Sequence, residues 1–147
     1  MAAKTAGNLF LGFTINDALF DASDSLRLYF DVLNNGGDPD EPDRFLQLGR
    51  DDSRGIQAGI GSNDDGRDWD ITYTSPNWVA AADPGSNSWT VELQINTDQE
   101  MPDLGNPFGL MVQALFTGEG MANWPNTGLF NQADTWGKID NSAVCAP

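Results

Sequence analysis

The feature that most constrains the fold is a repeated alternation of apolar and polar side chains. Segment 9–15 is apolar at every odd position, and segments 26–32 and 89–95 follow the same two-residue period. A strand with one buried face produces this pattern, because successive side chains of a strand point to opposite sides of the sheet. No segment keeps a 3.6-residue period, so the sequence predicts an all-β protein.

Segment 108–117 differs, because apolar residues follow one another there without alternation. It predicts a central strand that is covered on both faces. Shorter runs at four other places are weaker strand candidates: 44–50, 55–61, 69–74 and 135–139. Clusters of Gly, Pro, Asn and Asp separate the runs, as turns do. The pattern is typical of an antiparallel β-sandwich of the jelly-roll or immunoglobulin-like type.

The length of 147 residues gives room for one domain with a proper core, and residues 1–147 are expected to form it. The polar stretch 118–134 is longer than an ordinary connection between strands. Connections of this length are usually functional or poorly ordered. We therefore expect 118–134 to be a long loop near the ligand site.

The chain is strongly acidic, with 22 acidic and 7 basic residues, a net charge of −15 and no histidine. This charge disfavours nucleic acid as a partner, since such binding rests on clustered Lys and Arg. No apolar run is long enough for membrane insertion. The missing histidine removes the usual general base and every Ser–His or Cys–His nucleophile pair. Paired carboxylates alone are weak support for a glycosidase, so the sequence favours a binding module over an enzyme.

Two interpretations of the acid excess stay open. The first is a solvated surface that resists aggregation. The second is a bound cation, because calcium takes several oxygen ligands that adjacent loop carboxylates can supply. Four carboxylates that directly precede a strand are the candidate ligands: Asp38, Asp40, Glu41 and Asp43. A solvated, proline-containing turn is the alternative for this segment.

A second acidic segment, 61–72, begins like an EF-hand loop but fails its ligand pattern. Gly61 would occupy the first ligand position and Thr72 the closing position, where a bidentate acid is required. The sequence therefore excludes an EF-hand and leaves a weaker cation site in this loop as an alternative.

The five tryptophans are candidates for stacking against the C–H faces of sugar rings. Trp89 shares the apolar face of its strand and Trp136 opens a short strand, so both are expected in the core. Trp124 lies in the polar stretch 118–134 and is the best platform, although a loop tryptophan is as often a structural plug. Trp69 is a further candidate for carbohydrate contact.

Five motifs, taken in order, resemble those of family 9 carbohydrate-binding modules, a group related to the DOMON β-sandwiches. They spread over nearly the whole chain: 8–13 (NLFLGF) with Asn16-Asp17, 24–31 (DSLRLYFD), 89–95 (WTVELQI), 108–113 (FGLMVQ) and 136–139 (WGKI). The family opens with an additional segment and strand, whereas Met1 stands only eight residues ahead of Leu9. The resemblance thus implies a chain shortened at its N-terminus, with an unpaired edge in its sandwich.

The resemblance implies a non-catalytic module that binds an oligo- or polysaccharide. It also implies attachment to other domains of a secreted, polysaccharide-degrading or surface protein, outside the cell or in the periplasm. Members of the family clamp a sugar between two Trp rings. The corresponding positions here are Phe20 and Asp21 before the second motif, and Trp124 and Phe130 before the last, so half of the clamp is altered. Relatives also carry acids near 38–43, which implies calcium there.

Two other functions compete with carbohydrate binding. The first is a structural or interaction sandwich of a larger extracellular or outer-membrane protein, since a fold alone does not establish a function. The second is the haem-binding branch of the DOMON relatives, which ligate iron through Met and His. Because this chain has no histidine, haem is the least favoured ligand.

Overall fold

A computed structural model describes residues 2–5, 7–59 and 68–140 and has two antiparallel sheets packed face to face, which confirms the predicted β-sandwich. In chain order the strands are β1 (Ala2–Thr5), β2 (Asn8–Asn16), β3 (Ser25–Asp31), β4 (Arg44–Gly49), β5 (Arg54–Gly59), β6 (Trp69–Asp70), β7 (Trp78–Asp83), β8 (Ser88–Asn96), β9 (Phe108–Phe116), β10 (Gly120–Trp124) and β11 (Gly137–Ile139). A one-turn helix, α1 (Thr97–Glu100), follows β8, and a 3-10 turn (Ala133–Thr135) precedes β11.

The small sheet has the order β1-β2-β8-β7, and the large sheet has the order β10-β9-β3-β4-β5-β6, with β11 also paired to β9. The alternating segments form β2, β3 and β8, and their apolar faces meet between the sheets. Trp89 is 1% exposed in this main core, as its register predicts. Within the described residues no helix is long and apolar enough to cross a bilayer.

Three strands were not predicted from the sequence: β1, β7 and β10. β1 pairs with the free edge of β2, so the prediction of an unpaired edge at this place is wrong. β6 is shorter than the predicted 69–74, because the Asp70 carboxylate accepts hydrogen bonds from the N–H and hydroxyl of Thr72 and turns the chain. The predicted loop 118–134 contains β10 and most of the 3-10 turn, and is therefore partly regular.

The large sheet is covered on both of its faces over part of its area. On its outer side lies a second apolar cluster, made of Tyr29, Phe45, Trp69, Met111, Ala133 and Trp136. The segment after β10 folds back over this side, where the Trp136 indole donates to the carbonyl of Leu129 at 2.6 Å. This cover explains why β9 lacks alternation: Leu110 packs into the main core and Met111 into the outer cluster. The predicted central strand with two covered faces is confirmed.

Two arginines, a half-buried one at the start of β4 and a buried one just after its end, hold the ends of the sandwich. The Arg50 side chain is fully buried and pairs with Asp17 at 2.6 Å and Asp24 at 3.1 Å. It also donates to the carbonyls of Leu19 and Gly85, which joins the β2–β3 and β7–β8 loops. At the other end, Arg44 pairs with a fully buried Glu100 at 2.6 Å. The ends therefore depend on ion pairs that water does not screen.

Replacing Arg50 with Met is expected to lower the free energy of unfolding by about 3–5 kcal/mol, because it leaves two buried carboxylates without their cation. Urea-induced unfolding followed by tryptophan fluorescence measures the change. Arg54→Met is the matched control, since Arg54 pairs with Asp52 at the exposed surface, and it should change little. Equal effects of the two substitutions would contradict the structural role of Arg50.

Candidate functional site

A row of polar side chains crosses the outer face of the large sheet. The register of the strands places Arg27 opposite Gln47 on one side and opposite Gln113 on the other, and Gln113 lies opposite Asn123. Cross-strand partners share a face of the sheet, and this face is the one away from the main core. These four residues, Gln47, Arg27, Gln113 and Asn123, form what we call the amide row.

Hydrogen bonds connect three members of the amide row and fix their orientation. The Arg27 Nη1 donates to the Gln113 Oε1 at 3.4 Å, and the Gln113 Nε2 donates to the Asn123 Oδ1 at 3.1 Å. Gln113 is buried, whereas Gln47, Arg27 and Asn123 are half-buried. The row therefore offers partly exposed amides and a guanidinium on a rigid strand framework.

The second apolar cluster borders the amide row along its length. Tyr29 stacks on Phe45 with ring centroids 4.7 Å apart, and its hydroxyl reaches the Gln113 Oε1 at 3.5 Å. Burial raises the pKa of Tyr29 above its ordinary value despite the nearby Arg27, so the phenol remains a hydrogen-bond donor at neutral pH. Polar groups beside an aromatic wall are the usual composition of a small-ligand site.

Trp124, the predicted platform, is 47% exposed but lies on the other face of β10. It is opposite Val112, whose side chain packs against the main core, while its neighbour Asn123 belongs to the amide row. Its ring lies against Gly137, where an added Cβ would collide with the indole. Trp124 thus has one exposed side at the edge of the sandwich.

The other predicted contacts are at separate places. Phe20 is 59% exposed at the end of the sandwich near Ser25, where the guanidinium carbon of Arg50 lies 4.7 Å from its ring centroid. Ser25 and Trp124 are two strands apart across the sheet and three residues apart along it. By strand geometry their Cα atoms are therefore about 14 Å apart. Phe130 is 52% exposed in a turn closed by Leu129 and Gln132. The structure therefore does not bring Phe20 and Trp124 together as one clamp.

Asp21 and Trp69 are both engaged in local structure. The Asp21 carboxylate accepts hydrogen bonds from the N–H and hydroxyl of Ser23, and these bonds lower its pKa. Trp69 is 8% exposed, stacks on Trp136 with centroids 6.5 Å apart and contacts Tyr29 and Phe45. A sugar platform needs an exposed ring face. Trp69 therefore belongs to the buried aromatic cluster beside the amide row and offers no face for stacking.

The four carboxylates of the acidic loop have different surroundings. Asp43 is 1% exposed, and its two oxygens accept the backbone N–H groups of Val32 and Asp40 at 2.9 and 3.1 Å. Asp38 and Glu41 are exposed, and one oxygen of Asp40 accepts from the Asn35 amide. Within the described residues no three Asp, Glu, Cys or His side chains are placed to hold one ion.

The outer face of the small sheet forms a broad, open hollow. Gly12 and Ala81 flank Glu92 in its middle row, and Phe10 and Val79 lie at the two sides of Gln94 in the row above. Both Phe10 and Val79 are exposed, at 37% and 56%. The hollow is apolar in part and is lined by one carboxylate, Glu92. At its side the Gln94 Nε2 donates to the Asn8 Oδ1 at 2.9 Å, a single amide pair without a cation beside it.

Solved structures give the comparison that bears on this fold. The structure of a family 9 carbohydrate-binding module from Caldicellulosiruptor kristjanssonii in complex with glucose has a TM-score of 0.67 and 16% identity, covering 90% of this chain and 70% of that chain. The complex of such a module with cellotriose has a TM-score of 0.66 at the same identity, covering 90% and 68%. This chain has the family 9 fold. No family model matches the sequence, and no curated protein matches it significantly.

Sequence reasoning found the family 9 fold but missed the amide row. One signal for the site was present in the sequence. Arg27 and Tyr29 occupy the positions of an alternating strand whose side chains point away from the core. Gln113 was hidden in an apolar run, and Asn123 in the predicted loop. Only the register of β3, β4, β9 and β10 shows that these side chains are neighbours.

Asp43 gives the acidic loop a pH dependence that can be measured. Burial, together with the nearby Asp40 and Asp31, raises its pKa from 3.8 to about 7 despite its two backbone hydrogen bonds. The folded state therefore binds more protons than the unfolded state between about pH 4 and pH 7. The contribution of Asp43 to the free energy of unfolding therefore falls by up to about 4 kcal/mol as pH rises through that window, and it is constant above it.

Urea unfolding at pH steps of about half a unit measures this contribution. The quantity compared between Asp43→Asn and wild type is the slope of the free energy of unfolding against pH, because the substitution also changes the absolute stability. The substitution should flatten the fall between pH 4 and pH 7. Asp38→Asn, an exposed acid of the same loop, is the control and should keep the wild-type slope. A wild-type slope retained in Asp43→Asn would remove Asp43 as its source.

Proposed function

We propose that this chain is a non-catalytic carbohydrate-binding module whose ligand lies along the amide row. The observation that carries the proposal is the row itself: side-chain donors and acceptors held in fixed orientation beside an aromatic wall. Sugar hydroxyls need such paired donors and acceptors, and amide side chains supply both. Two solved structures with the same fold are complexes with glucose and cellotriose, which supports a saccharide as the ligand class.

The extent of the amide row suits an extended glycan rather than a single sugar. The row crosses β4, β3, β9 and β10, and Gly55 of β5 continues it with open space above its Cα. Four strand spacings of about 4.8 Å give a surface on the order of 19 Å long. We propose that several sugar rings of an oligo- or polysaccharide lie across the strands here.

We place this module outside the cell or in the periplasm, joined to other domains of a protein that acts on polysaccharides. The support is the likeness in fold to family 9 modules.

A structural or interaction sandwich is the second candidate, and the hollow on the small sheet favours it. Phe10 and Val79 leave apolar surface uncovered there, on which a neighbouring domain could rest. Exposed apolar patches often mark such contacts. A screen of soluble glycans without a single binder would favour this candidate.

Gln47→Ala and Asn123→Ala test the position of the glycan. Each removes one hydrogen-bonding side chain of the row, and each should weaken binding of the best glycan about fivefold, measured by calorimetry. Gln94→Ala on the small sheet is the matched control and should retain affinity. Affinity lost in Trp124→Ala but kept in both row variants would move the site to the opposite face of β10.

Calcium remains a prediction of the sequence, without support from the side-chain arrangement of the acidic loop. Because the buried carboxylate of Asp43 already accepts two N–H groups, we expect millimolar calcium to leave the thermal midpoint unchanged at pH 8. Ligands that bind only the folded state raise this midpoint. A rise that disappears on chelation and in Asp38→Asn would instead establish calcium binding at 38–43.

A further inference from the structure

Arg27 differs from the other arginines that the structure describes. Arg44, Arg50 and Arg54 each pair with a carboxylate at 2.6 to 2.7 Å. Arg27 has no such pair among the described residues, although acidic side chains outnumber basic ones threefold in the chain. A half-buried guanidinium without a carboxylate is therefore an exception within this protein.

The hydrogen-bonding capacity of Arg27 is mostly unused. Its Nε is buried and has no acceptor in the structure, and its Nη1 makes one long bond of 3.4 Å to Gln113. A guanidinium has five N–H donors, and burial without acceptors is unfavourable. A ligand from solvent does not reach the buried Nε, so an external group with two adjacent acceptor oxygens would bind at the outer end of the guanidinium, through Nη1 and Nη2.

The surroundings of Arg27 are neutral, so no side chain of the amide row competes with such a group. Its cross-strand neighbours are the amides Gln47 and Gln113. The carboxylate nearest along the same face of β3 is Asp31, and both of its oxygens accept backbone N–H groups, from Asn35 and Gly36. The net charge of −15 acts on this place only weakly, because salt screens exposed charges beyond about 8–10 Å.

We infer that Arg27 binds the carboxylate of an acidic sugar, so the glycan on the amide row contains uronic acid units. The inference rests on the proposed function and names its ligand class. A planar guanidinium binds a carboxylate through two parallel N–H···O bonds, which a neutral hydroxyl cannot match. The half-buried amide of Gln47 then serves the hydroxyls of the same and neighbouring rings, while the buried Gln113 holds the guanidinium in place.

The test compares an oligogalacturonide with its methyl ester, which has the same rings and no charge. Calorimetry on the wild-type protein should give at least tenfold tighter binding of the acid, and this preference should shrink as salt is raised. In Arg27→Gln the acid-to-ester affinity ratio should fall to about one. Arg27→Lys keeps the charge without the planar fork and should give an intermediate ratio.

The possible outcomes separate the inference from the proposed function. Equal binding of acid and ester by the wild-type protein, or binding of cello-oligosaccharides alone, would overturn the uronate inference and leave carbohydrate binding standing. Failure of acidic and neutral glycans alike would overturn both. Because the acid–ester comparison needs only wild-type protein, a variant that fails to fold does not remove the test.

Discussion

The buried ion network around Arg50 is the interaction on which the rest of the structure depends. One guanidinium joins Asp17, Asp24 and the carbonyls of two loops, so it fixes where β2 ends, β3 begins and β8 begins. Asp24 also accepts the backbone N–H of Thr117, which ties the end of β9 to the same point. Desolvated charges are costly unless every partner is present, so this end of the sandwich has one well-defined arrangement.

The fixed strand ends set the register of the large sheet, and the register makes the site. Ser25 begins β3 directly after Asp24, and Arg27 follows two residues later on the outer face. The same register brings Gln113 and Asn123 beside it. A shift of one residue in β3 would send Arg27 into the main core and Leu26 onto the outer face. The amide row is thus a consequence of how the sandwich is closed at its end.

Periodicity predicted the parts of the fold that depend on a single strand. The alternation of β2, β3 and β8 and the two covered faces of β9 followed from the requirement to bury one face or both. β10 was missed because its sequence, GMANW, is short, begins with a glycine and is mostly exposed, and only pairing with β9 makes it a strand. The site was missed for the same reason. Arg27 and Gln113 are 86 positions apart in sequence, and no local pattern reports a cross-strand neighbour.

The positions of the tryptophans in the sequence were a poor guide to the site, because they do not show whether a ring is buried or open to a ligand. Trp69 and Trp136 stack against each other under the loop that follows β10, and so stiffen the sheet beside the amide row. Trp124 is exposed but belongs to the opposite face of its strand. The burial of the aromatic rings and the partial exposure of Gln47, Arg27 and Asn123 are the reasons for proposing a ligand surface on the large sheet.

The most direct test of that location is a titration with an oligosaccharide that follows the side-chain amide signals by NMR. The account predicts that the NH₂ resonances of Gln47, Gln113 and Asn123 shift together and saturate at one dissociation constant. It predicts no shift for Gln94 and Asn8, whose amides lie on the small sheet. Shifts of Gln94 and Asn8 with an unmoved amide row would contradict the account and place the ligand in the hollow of the small sheet.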